Sequence, residues 1–152
     1  MESVLVQGTV TYRTPEGRIE GDEGAVILVW PKDAVAQPRI DPTELHPSQA
    51  APHEGSRAML GLEEIGAKHV RALNDGTYNL VVPRRGEYYV LFVSRRTLRS
   101  ADESVDERTM NVLRRVFAPA ATGIDRQKYH LRIENFDSGL EVCSHDFDRS
   151  GT

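Results

Sequence analysis

Residues 74–91 constrain the fold of this chain more than any other stretch. Two apolar runs there, Thr77-Tyr78-Asn79-Leu80-Val81-Val82 and Glu87-Tyr88-Tyr89-Val90-Leu91, are set off by short polar turns, and each turn carries a glycine. Asn74-Asp75-Gly76 supplies residues that tolerate positive φ, which a tight turn needs. The pattern predicts a small, antiparallel, β-rich domain. In particular, 69–73 and 77–82 read as the two arms of a hairpin. No reactive side chain in the stretch has an obvious partner, so it speaks to architecture and not to chemistry.

The rest of the chain fits that class. Positions 4–12 alternate, with Val4, Val6, Val10 and Tyr12 on one face and Gln7, Thr9 and Thr11 on the other, the period of a half-buried strand. Ala25-Val26-Ile27-Leu28-Val29-Trp30 is apolar throughout and stops at Pro31. So short a β-branched run predicts a strand buried on both faces. Patterning then disappears over 32–55, where Pro38, Pro42, Pro47 and Pro52 recur. Loops of that length are functional or mobile in most domains. A short helix at 56–66 ends at Gly66. Met110, Leu113, Val116 and Phe117 mark one face of a helix over 107–117, led in by acidic residues suited to a helix N-terminus. Segments 128–136 and 140–147 read as a final hairpin across Asp137-Ser138-Gly139.

With 152 residues the chain is expected to form one domain over 1–148, followed by a flexible tail at 149–152. No apolar run approaches the roughly 20 residues of a membrane span. Met1-Glu2-Ser3 opens no signal peptide. Positions 84–132 hold an excess of basic residues inside a chain of net charge −4. In a chain that is acidic overall, nucleic acid is not an expected partner.

Gly8-Thr9-Val10, Gly24-Ala25-Val26, Asp75-Gly76-Thr77-Tyr78 and Pro83 with Gly86 recur in that order. This arrangement resembles the carboxypeptidase regulatory-like, or transthyretin-like (prealbumin-like), domains. The resemblance covers about positions 4–94. It implies a mainly β, Greek-key sandwich of about seven antiparallel strands. To this the sequence adds one helix near 107–117 and a long loop at 32–66. The resemblance further implies a non-catalytic binding or spacer module of a bacterial, envelope-associated protein, placed outside the cytoplasm. Protein–protein interaction through a sheet edge or a homodimer is the first alternative. A small hydrolase or metal-dependent enzyme is the second. The hydrolase of this fold, hydroxyisourate hydrolase, carries a Tyr-Arg-Gly-Ser tail, which Asp148-Arg149-Ser150-Gly151-Thr152 does not match.

Candidate site residues follow from chemistry. Trp30 sits at the mouth of the long loop, where it either stacks on a sugar or anchors a partner, or else closes the core. His46 and His53 lie on that loop, and Arg84 and Arg85 on the later turn; with Trp30 they form the expected ligand surface, for a protein or a carbohydrate. Cys143 and His145, two apart on one strand face, are weak metal or nucleophile candidates. No cofactor is expected. Asp22 and Asp75 read as solvated turn residues.

Overall fold

The computed structural model describes residues 3–147. The expected tail at 149–152 lies outside them. Nine strands, two α-helices and one 3-10 turn follow in the order β1 (Val4–Arg13), β2 (Ile19–Gly21), β3 (Val26–Pro31), the 3-10 turn (Thr43–Leu45), α1 (Arg57–Glu64), β4 (Lys68–Arg71), β5 (Thr77–Val82), β6 (Gly86–Leu98), α2 (Glu107–Leu113), β7 (Gln127–Phe136), β8 (Leu140–Val142) and β9 (His145–Phe147). They form a β-sandwich. One sheet centres on β1, flanked by β2, β5, β8 and β9; the other runs β4-β3-β6-β7.

Two expected hairpins are crossovers between sheets. β4 pairs with β3, whereas β5 pairs with β1, so the Asn74-Asp75-Gly76 turn carries the chain from one sheet to the other. A turn's local chemistry reverses the chain without dictating which strand the return arm joins. Gly76 adopts φ +86°, and a Cβ there would meet the Val10 carbonyl oxygen at 2.5 Å. β7 likewise pairs with β6, while β8 and β9 run parallel to β1. The sandwich is therefore not wholly antiparallel, and the described residues form nine strands where about seven were expected. Gly8 makes the last crossover possible, since a Cβ on it would lie 1.9 Å from the Cys143 carbonyl oxygen.

Two cores explain why β3 and β6 are apolar on both faces. Between the sheets, Val4, Val6 and Val10 of β1 and Tyr78, Leu80 and Val82 of β5 pack on Ile27, Val29, Tyr88, Val90 and Phe92. On the opposite face of the second sheet, Leu28, Trp30, Tyr89 and Leu91 meet Ile40, Leu45, Leu62, Leu113 and Phe117. That outer layer is made of the 32–66 segment, α1 and α2. Ser56 caps α1 by accepting from the Met59 amide, and Asp106 caps α2 by accepting from the Thr109 amide. α2 is shorter than the expected 107–117 helix; Val116 and Phe117 are buried in the turns after it.

The long 32–66 segment is an ordered wall. Its Ile40 amide donates to the Val116 carbonyl, and the Ala118 amide donates back to Ile40. The Arg71 guanidinium donates to the carbonyls of Leu45, His46 and Gln49. Its own Ile40 and Leu45 are buried against the second sheet.

Candidate functional site

The sequence candidates do not converge. Trp30 is 1% exposed, packed between the rings of Tyr89 and Phe117 at centroid distances of 5.7 and 5.8 Å. It closes the outer core and presents no face for a sugar. His53 is exposed. His46 is half-buried, its Nδ1 receiving the Ser48 amide at 3.0 Å, and burial holds its pKa below the usual imidazole range. Its Nε2 is buried and makes no aligned hydrogen bond. Arg84 and Arg85 line a separate cleft of about 640 Å³ with Lys32, Glu87 and Arg115. Lys32 pairs with Glu87 there at 3.7 Å, and the Arg84 carbonyl accepts from the Tyr88 hydroxyl at 2.6 Å.

Cys143 and His145 both point inward, at the side of the sandwich where β7 faces β8 and β9, but they contact different groups. The Arg132 guanidinium donates to Glu134 at 2.7 Å, to the Ser144 carbonyl at 2.9 Å and to the Cys143 sulfur at 3.1 Å. His145 stacks on His130, with ring centroids 4.2 Å apart, and on Phe92. Burial pushes the Cys143 thiol up against the pull of Arg132. A nucleophile needs the opposite, a thiol held low and reachable. The cluster knits two sheet edges together. Arg132 and Glu134 were missed in the sequence, although their i, i+2 spacing on the Phe136 face of β7 is legible once that face is known to turn inward.

Asp22 is a correction. It is fully buried, not a solvated turn, and its carboxylate accepts from the Ser94 hydroxyl and from the Arg95 and Arg96 amides. Those bonds hold the irregular stretch of β6 between Val93 and Leu98. Burial raises its pKa.

The largest cleft described, about 810 Å³, lies between the loop and α1. Ile40, Ala58 and Leu60 give it apolar surface, and Gly61 lets the helix sit low over Ile40. Its rim carries both signs of charge, Arg39 and Arg57 against Asp41, Glu44 and Glu64. Leu60 is 51% exposed into this region. None of His46, His53, Cys143 and His145 lines it or the three other clefts described. The loop was singled out in the sequence, but α1 as its opposite wall was not.

No protein-family model matches the chain. No curated protein matches it either. Among solved structures, it is similar to the crystal structure of a putative carbohydrate binding protein from Pseudomonas aeruginosa. The two share 9% sequence identity with a TM-score of 0.47, over 97% of this chain and 89% of the other. At that distance the likeness carries nothing over to this chain.

Proposed function

We propose that this protein is a non-catalytic recognition module that holds a polypeptide segment in the cleft between the 32–56 loop and α1. The carrying observation is that cleft: about 810 Å³, within the size range of ligand pockets, and walled by a loop tied down at Ile40 and again over Leu45–Gln49. Apolar surface from Ile40 and Leu60 beside charges of both signs matches the alternating chemistry of a peptide. No aromatic side chain lines it, which removes the usual stacking platform for a sugar. The buried, raised Cys143 thiol supports a role without covalent chemistry. The transthyretin-like resemblance extends the same reading to a binding or spacer module in an envelope-associated assembly outside the cytoplasm.

Selection of the intact protein against a random linear peptide library tests it. Binders are expected whose affinity drops roughly tenfold or more in Leu60→Glu and Arg57→Glu. Binders indifferent to both substitutions, or a selection that enriches nothing, overturn the proposal.

A further inference from the structure

The cleft at the Arg84–Arg85 turn gathers positive charge that its surroundings do not cancel. Four basic residues, Lys32, Arg84, Arg85 and Arg115, line its 640 Å³ against two acidic ones, Asp33 and Glu87. Lys32 and Glu87 are taken up with each other at 3.7 Å, and Arg85 has a contact of its own. Among the described residues, no carboxylate lies within ion-pair distance of the Arg84 or Arg115 guanidinium. The chain as a whole carries a net charge of −4, so this concave basic site stands apart from its surface. A cleft lined by one sign of charge focuses the field and concentrates the opposite ion.

Three separate pieces of chain supply the cations. Lys32 directly follows β3, Arg84 lies in the turn between β5 and β6, and Arg115 comes just after α2. A hydrogen bond fixes the backbone of each. The Lys32 amide donates to the Glu87 carbonyl at 3.0 Å, the Arg84 carbonyl accepts from the Tyr88 hydroxyl at 2.6 Å, and the Arg115 carbonyl accepts from the Ala36 amide at 3.2 Å. Backbones set in advance reduce the ordering cost of binding.

We infer that this cleft binds the phosphate group of a small phosphorylated molecule. A phosphate monoester carries a charge of about −1.5 to −2 at neutral pH, which matches the excess of two basic residues over acidic ones. Its three free oxygens can accept from guanidinium forks that come from two different elements, whereas a planar carboxylate matches a single fork. The basic side chains are exposed, so salt screens the attraction and a Kd on the order of 1 mM is expected for inorganic phosphate. The site shares no lining residue with the loop–α1 cleft and stands without it.

Titration of the full chain with inorganic phosphate at constant ionic strength, followed by nitrogen–proton correlation NMR, is the test. Saturable shifts are expected at 32–33, 84–88 and 115, and acetate should not reproduce them. Glycerol 3-phosphate, whose ester leaves three phosphate oxygens free, should shift the same amides. Arg84→Gln and Arg115→Gln should each raise the Kd by about two- to fivefold. Glu87→Gln releases Lys32 and should lower it. Arg18→Gln removes the same charge outside the cleft and should leave it unchanged. All four substitutions fall on exposed side chains, and parent-like spectra away from the cleft show that the variants fold. Shifts that fail to saturate, that acetate matches or that centre elsewhere overturn the inference. So does a site that refuses glycerol 3-phosphate, or a Kd indifferent to Arg84→Gln and Arg115→Gln.

Discussion

The Arg71 guanidinium donates from Nε to Nε2 of His69 at 3.1 Å. The two residues lie two apart on β4, and the bond fixes His69 as a neutral acceptor. It also orients the remaining guanidinium nitrogens toward the loop carbonyls of Leu45, His46 and Gln49. One edge strand thereby holds the wall of the proposed binding cleft.

Arg71→Leu removes those bonds and leaves three carbonyls to find water. Charged hydrogen bonds of this kind contribute about 1.5–3 kcal/mol each when fully buried. These are partly exposed, so a total cost of about 2–4 kcal/mol is expected. Hydrogen exchange should quicken over 40–49 while the amides of β1 and β6 keep their protection. Uniform loss of protection, or no change in the loop, would show that Arg71 does not hold it.

Stability should fall on mild acidification. Burial and Arg71 hold the His69 pKa down to about 4, and burial with His130 and Arg132 does the same for His145. In the unfolded chain an imidazole titrates near 6.5. As pH falls from about 6.5 to about 4, the unfolded state takes up protons that the folded state refuses, and stability is lost across that window. Thermal melts should be flat from about pH 7 to 8 and decline below that range. His145→Phe, which keeps a ring on Phe92 and His130, should shallow the decline. An identical pH profile in that variant would count against the His145 part of the account.

Asp22 anchors β6 from inside. Asp22→Ala leaves the Arg95 and Arg96 amides without their acceptor, at an expected cost of about 2–4 kcal/mol. Asp22→Asn keeps one carbonyl oxygen and should cost less. Because burial raises its pKa, the folded state binds this proton more readily than the unfolded one. Acidification thus favours folding through Asp22, opposite in sign to the histidines. Equal losses in both variants, read from denaturant melts, would contradict the acceptor role.

Much of the strand plan was legible because alternation and unbroken apolar runs report burial directly. The unbroken run of β3 anticipated cover on both faces, which the loop and helices supply on the outer one. Pairing was less legible. The Asn74-Asp75-Gly76 turn looks the same whether its arms share a sheet or change sheets, and nothing local marks β8 and β9 as parallel partners of β1. The loop concealed its role as well, since Ile40 and Leu45 are buried without any regular period around them. Asp22 was read as solvated because an aspartate between glycines is usually a turn; its donors, Ser94 to Arg96, are more than 70 positions away in sequence.

Cys143 should be inert in the folded protein. It is 1% exposed, and burial keeps it protonated. Iodoacetamide should label it only at the rate of global unfolding, and the intact thiol should be recovered after hours at neutral pH. Rapid labelling of the native protein would reopen the covalent alternative.

The central claim is that recognition takes place at the loop–α1 cleft, and a nitrogen–proton correlation NMR titration with a selected peptide tests it most directly. The account predicts shift changes confined to 38–49 and 57–64, with the β7–β9 seam around Cys143 silent. Changes centred on Cys143 and His145, or on the Arg84–Arg85 turn with the cleft unmoved, would contradict it.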